Sequence, residues 1–184
     1  MKEIRLHGLG GQGAVIASQI MAIGLATEGW QVAAFPQFGA ERRGSRVAAF
    51  LRYNNKPIRE KCLIYYPDAL LVLDHNQIKS SEIYHGLKPG SLMVANSPLP
   101  ITTEYSPKLE MVAWVDATRI SLETLGRPIV NTCMVGAFAG AAKWLAKESL
   151  VDALSEFFQG KILEKNIRCL IRGYEEVEIA RREK

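Results

Sequence analysis

A chain of 184 residues with 48% hydrophobic and 23% charged residues holds enough apolar material for a full core, which excludes disorder and any need for disulfide or metal staples. A net charge of +4 is too mild for the dense basic stripe of a nucleic-acid-binding domain. Cys62, Cys133 and Cys169 lie far apart in the chain, which excludes a C-x-x-C site and predicts buried, reduced thiols in a reducing compartment.

From Met1 to His7 there is no apolar leader core. The longest weakly polar stretch, 129–142, falls short of the roughly 20 apolar residues of a bilayer span. A soluble, cytoplasmic chain without a membrane partner is expected. Residues 3–7 alternate around Ile4 and Leu6 and read as a strand. Gly8-Leu9-Gly10-Gly11-Gln12-Gly13 follows, then helical spacing over 14–28 closed by Gly29, then a second strand over 31–35. Such a β–loop–α–β unit favours a parallel pair.

Residues 36–44 form a polar, glycine-punctuated loop. A strand is expected over 47–53, turned by Asn54-Asn55 into a short returning segment around Ile58. The continuous apolar run Ala69-Leu70-Leu71-Val72-Leu73, ending at Asp74, marks a strand buried on both faces. A turn at Lys88-Pro89-Gly90 leads to a strand over 92–95, a loop occupies 96–107, and 111–115 reads as the last strand. Helices then dominate. Asp116 caps one that ends before Gly126, and Asn131 or Thr132 opens an Ala- and Gly-rich one. Ser149-Leu150-Val151-Asp152 resembles a capping box before 153–158, and a last helix starts near Ile162. The charged tail 175–184 is expected to fray. The fold class is α/β: a three-layer α/β/α domain with a mostly parallel sheet, a Rossmann-like N-terminal βαβ unit and a helical C-terminal part.

The glycine loop satisfies G-x-G-x-x-G after a strand and before a helix, the context in which backbone N–H groups cradle a phosphate at a helix N-terminus. A tight turn that packs strand against helix without a ligand is the other reading. A dinucleotide enzyme needs an acid at the end of the second strand, and this chain has Ala33-Ala34-Phe35-Pro36-Gln37 there. A P-loop ends in Lys-Ser/Thr, which is also missing. Between Arg42 and Lys61 seven basic residues gather, as a solvated face or as a surface for an anionic ligand or acidic partner. Within Phe35-Pro36-Gln37-Phe38-Gly39-Ala40-Glu41-Arg42-Arg43-Gly44 the aromatics are expected to dock on a core or interface. Arg42 and Arg43 either bind phosphate or carboxylate in bidentate fashion, or pair with Glu41. His7, His75 and His85 stand in no triad spacing.

The loop G-L-G-G-Q-G, the segment F-P-Q-F-G-A-E-R-R-G-S-R-V, the stretch Y-Y-P-D-A-L-L-V-L-D and the later G-R-P-I-V-N-T together resemble the gamma subunit, or gamma domain, of 2-oxoacid:ferredoxin oxidoreductases, most closely the pyruvate type. Ala40 and Arg46 depart from the pyruvate-type pattern. The resemblance extends from Ile4 to about Tyr174 and implies a single gamma-type domain over 1–184. It implies a chain inactive alone, within a complex that converts a 2-oxo acid and coenzyme A to acyl-coenzyme A and carbon dioxide. Electrons pass to ferredoxin. Thiamine diphosphate and iron–sulfur clusters are then expected on partner subunits, a thiamine diphosphate-binding one and a ferredoxin-like one, with no metal site on this chain. Coenzyme A is the ligand this chain is expected to contact. The candidate residues are Gly8, Gly10, Gly11, Gln12, Gly13, Arg42 and Arg43, with Asn131 weaker because an Asn at a helix start is ordinarily a cap. No catalytic residue is expected. An assembly scaffold with an empty glycine loop and a free-standing Rossmann-type oxidoreductase are the rival readings.

Overall fold

The computed structural model describes residues 1–37 and 44–183. Phe38 to Arg43, and with them Arg42 and Arg43, lie outside the described residues. The chain runs β1 (Lys2–Leu9), α1 (Ala14–Thr27), β2 (Gln31–Pro36), β3 (Arg46–Asn54), β4 (Ala69–Val72), two 3-10 turns (His75–Lys79 and Ser81–Tyr84) and β5 (Ser91–Asn96). It continues through β6 (Leu109–Val115), α2 (Ala117–Leu125), α3 (Asn131–Ala142), α4 (Lys147–Ala153), α5 (Gly160–Glu176) and β7 (Glu178–Arg181).

Seven strands form a sheet in the order β2-β3-β1-β4-β5-β6-β7. Its core, β1-β4-β5-β6, is parallel, as expected. The continuous apolar runs of β4 and β5 are buried at every position, as strands covered on both faces must be. The outer pairs β2–β3, β3–β1 and β6–β7 are antiparallel. Two expectations are corrected here. β1 and β2 point the same way, but β3 lies between them, so no direct parallel pair forms. Nor is β6 the last strand: the charged segment expected to fray contains β7, whose Ile179 sits opposite Ala113 of β6.

The two faces of the sheet are covered unequally. Ile4 and Leu6 of β1, Leu71 and Leu73 at β4, and Val94 of β5 join residues of all five α-helices in one large core. Leu70, Val72, Met93 and Val112 point the other way, onto Ile78 and Ile83 of the 3-10 turns and Leu87 just after them. The third layer is therefore thin. Within the thick layer α3 is buried from Asn131 through Ala141, so it has no wet face. It lies so close to α5 that a Cβ on Gly136 would stand 2.0 Å from the Leu170 carbonyl oxygen.

Local capping agrees with the sequence at α2, where the Asp116 side chain accepts from Arg119 N at 2.9 Å. It disagrees at α4. That helix starts at Lys147, so Ser149 lies inside it, and the flanking Ala146 N–H is taken by Glu28 Oε1 at 2.8 Å. The segment around Ile58 is not a strand. Cys133 and Cys169 are buried and free, whereas Cys62 is exposed. No helix among the described residues is long and apolar enough to cross a membrane.

Candidate functional site

β1 and α1 meet at the glycine loop. Gly8 still belongs to β1, and its carbonyl accepts from Gln77 Nε2 at 2.7 Å. The turn closes through Gln12 N to Leu9 O at 3.0 Å. The Gln12 side chain folds back, its Oε1 accepting from Leu9 N at 2.8 Å. On its other side the loop is sewn to the start of β3: Gly10 N donates to Ser45 O at 2.8 Å and Gly44 N to Gly10 O at 3.2 Å. Gly44, the first described residue after Arg43, is thus fixed to the glycine loop.

Gly11 and Gly13 have φ of +98° and +82°, a region that side chains with a Cβ seldom enter. Gly13 also caps α1 with no side-chain acceptor, and the first turn carries no acid. The opening N–H groups of a helix have no intrahelical partner, and with the helix dipole they favour an anion. Beside them lies a shallow depression of about 270 Å³, lined by Leu9, Gly10, Gly11, Gly13, residues 14–16 and Val47. Asn131 completes the convergence. It is the first residue of α3 rather than its N-cap, and its Oδ1 accepts from Thr132 N at 2.9 Å. A Cβ on Gly13 would come within 2.6 Å of Asn131 Nδ2. The N-termini of α1 and α3 thus meet at one point.

Of the residues singled out in the sequence, Gly10, Gly11 and Gly13 line the depression, with Asn131 behind Gly13. Gly8 and Gln12 hold the loop's shape. The basic run is largely structural where it is described. Arg46 pairs with Glu82. Arg52 is 1% exposed, pairs with Glu3 at 3.2 Å, donates to Glu60 O at 2.8 Å and sits over the Phe35 ring. Phe35 in turn stacks on Phe50, the docking expected of that aromatic. His7, at the root of the loop, receives a hydrogen bond from Arg5 Nε at 3.1 Å. Burial, with the Arg5 charge second, pulls its pKa down to about 3.

Two groups at this end of the sheet were missed. Gln77 bridges β1 to the first 3-10 turn, and Asp74 sits buried at the end of β4. The signal for Asp74 was an acid directly ending a strand covered on both faces. For Gln77 no local pattern points to Gly8, which is 69 residues away.

The glycine loop at the carboxyl edge of a sheet with a parallel core places the chain among α/β proteins with a Rossmann-like first unit. A family model described as pyruvate ferredoxin/flavodoxin oxidoreductase matches residues 3–176, and the chain belongs to that family, as a subunit of an oxidoreductase complex. The pyruvate synthase subunit PorC of Methanothermobacter thermautotrophicus is 44% identical over 178 residues, covering 97% of each chain. The common subunit gamma of the pyruvate/ketoisovalerate oxidoreductases of Pyrococcus furiosus is 43% identical over 182 residues, covering 97% of this chain and 98% of that one. The crystal structure of pyruvate oxidoreductase subunit PORC from Thermotoga maritima superposes with a TM-score of 0.85 at 32% identity, over 97% of this chain and 98% of that chain.

Proposed function

We propose that this chain works in the cytoplasm as the gamma subunit of a pyruvate-type 2-oxoacid:ferredoxin oxidoreductase, and that its glycine loop receives a phosphate of coenzyme A. The thiamine diphosphate-binding and ferredoxin-like subunits carry the decarboxylation and the electron transfer. Three cysteines are one short of a four-cysteine cluster, so the chain contributes binding and assembly. The observation that carries the reading is the pair of positive-φ glycines opening α1 beside the depression, against the N-terminus of α3. Arg42 and Arg43 supply the charge that a ligand with several phosphates calls for. The Pyrococcus furiosus relative is a common subunit of two oxidoreductases that differ in oxo acid. This favours placing substrate choice on a partner subunit.

The apolar lining of the depression, with Val15, Ile16 and Val47 in it, favours a second reading: a packing turn in an assembly scaffold. Gly11→Ala, Arg42→Ala and Arg43→Ala in the reconstituted complex separate the two. Losing an arginine that pairs with a phosphate is expected to raise the Michaelis constant for coenzyme A about 10- to 150-fold. Thiamine-dependent decarboxylation measured without coenzyme A stays near wild type. Equal losses in both assays would favour the scaffold, and no loss in either would remove the ligand site.

A further inference from the structure

The chain changes faces between β1 and β4. After β1 it turns through the glycine loop to α1 on the thick layer, and after the neighbouring parallel strand β4 it turns to the 3-10 segment on the thin layer. In open α/β sheets, the crevice outside the carboxyl ends of two such strands is where ligands bind. One wall here is the glycine loop. The other begins at Asp74.

Asp74 is 8% exposed, yet its side chain makes no hydrogen bond or ion pair among the described residues. It occupies the N-cap position of the first 3-10 turn, where an Asp ordinarily accepts from the backbone ahead of it. It does not do so; only its backbone carbonyl is used, by Gln77 N at 3.0 Å. The extended backbone at Asp74, φ −108° and ψ 118°, carries it straight on from β4. Continuing the register His7↔Val72 brings it level with Leu9 at the start of the loop. The Asp74 carboxylate oxygens keep a little solvent contact, whereas the next residue holds a fully buried orphan, His75 Nδ1. A buried polar group left unpaired is costly, so each such group calls for a reason.

We propose that Asp74 is a ligand-positioning residue that accepts a hydrogen bond from a hydroxyl or amide N–H of the molecule whose phosphate sits on the glycine loop. A carboxylate repels phosphate and accepts from donors, so Asp74 sets which part of the ligand lies on the β4 side. The acid that the end of β2 lacks is thereby supplied from the strand on the opposite side of β1. This inference rests on the coenzyme A reading of the loop, and the ligand's donors are then the ribose hydroxyl or the hydroxyl and amides of the pantetheine arm.

The test uses the reconstituted complex with Asp74→Asn and Asp74→Ala, beside Gly11→Ala. Both Asp74 variants are expected to raise the Michaelis constant for coenzyme A about tenfold or more, the effect of losing a hydrogen bond to a charged acceptor. Pantetheine and adenosine 3′,5′-bisphosphate serve as competing fragments, and the one whose inhibition weakens in Asp74→Asn holds the donor. Thermal unfolding of the full-length chain alone is the second readout. An unpaired carboxyl group that awaits a ligand leaves the midpoint unchanged or higher in Asp74→Asn. A fall of several degrees would make Asp74 a structural residue and overturn the proposal. So would unchanged coenzyme A kinetics in both variants while Gly11→Ala alone impairs them, a result that leaves the coenzyme A reading standing. If all three variants leave coenzyme A kinetics unchanged, both readings fall.

Discussion

Helix α3 meets glycines at two places that differ in every physical respect. Along its length it lies on α5 backbone against backbone. A Cβ on Gly136 would be 2.0 Å from Leu170 O, and one on Gly173 of α5 would be 2.1 Å from Cys133 O. At its N-terminus the Asn131 side chain meets Gly13 of the β1–α1 loop, and Gly11 beyond it opens outward. Gly11 has nothing within 4 Å of where a Cβ would stand. In the seam a side chain is excluded by the neighbour. In the loop it is disfavoured by the residue's own dihedral, and space is left over for something from outside. Crowded glycines therefore report on the fold, and the open glycine at Gly11 leaves room for the proposed ligand.

The largest expected effect tests the crowded half. In Gly136→Ala or Gly173→Ala the new methyl meets a carbonyl oxygen fixed in a helix, so relief requires the helices to part. A loss of about 3 kcal/mol or more is expected, at or beyond the upper end for overpacked cores, read from the denaturant midpoint at constant slope. A loss under about 1 kcal/mol would show the seam to be loose and end the comparison.

Only one half of this contrast was legible in the sequence. The loop was, because strand, glycines and helix are consecutive, and the Gly29 and Asp116 boundaries followed from local backbone chemistry. The seam was not: the small residues of 131–142 signal close packing but do not name α5 as the partner. β7 was hidden for the same reason. Glu178-Ile179-Ala180-Arg181 has the composition of a solvated tail and becomes a strand only because β6 offers an edge. The insertion of β3 between β1 and β2 is a choice of register made between residues far apart in the chain, Ile4 with Leu51 and Val32 with Tyr53, that local periodicity cannot specify. At α4 the acceptor that replaces a local cap arrives from Glu28, 118 residues away.

The next effect in size sharpens the contrast through pH. The seam is held by close backbone approach, apolar contact and a buried hydrogen bond, Thr132 Oγ1 to Asn166 Oδ1 at 2.9 Å, whereas the loop is rooted in amide and imidazole side chains. The His7 pKa is depressed from its ordinary 6.5 to about 3. The unfolded chain binds a proton below about 6.5 that the folded chain refuses until about 3. Stability from this group is thus fully present above pH 6.5 and is lost as pH falls toward 3, with a slope approaching about 1.4 kcal/mol per pH unit. His7→Gln should flatten that part of the profile. In hydrogen exchange at pH 4–5, amides of β1 and the loop should lose protection before those of α3. Superimposable profiles for wild type and His7→Gln would mean that the imidazole is not desolvated.

The smallest effect on stability falls at Gly11, and its smallness is the point. Gly13→Ala combines the strain of φ +82° with a methyl 2.6 Å from Asn131 Nδ2, which must leave its place at the N-terminus of α3. It should cost more than the roughly 1–2 kcal/mol of a left-handed residue alone. Gly11→Ala carries only the dihedral strain, because its methyl points into open space. Gly11→Asn should cost still less, since Asn tolerates positive φ better than other side chains. All three place atoms at the depression, so ranking them by stability and by coenzyme A dependence gives two independent orders. If the loop is a packing turn, the two orders coincide and Gly11→Asn is nearly silent in both assays. If the loop receives a phosphate, Gly11→Asn separates them: its unfolding midpoint stays near wild type while its Michaelis constant for coenzyme A rises. The cause would then be a side chain standing where the ligand's oxygen belongs.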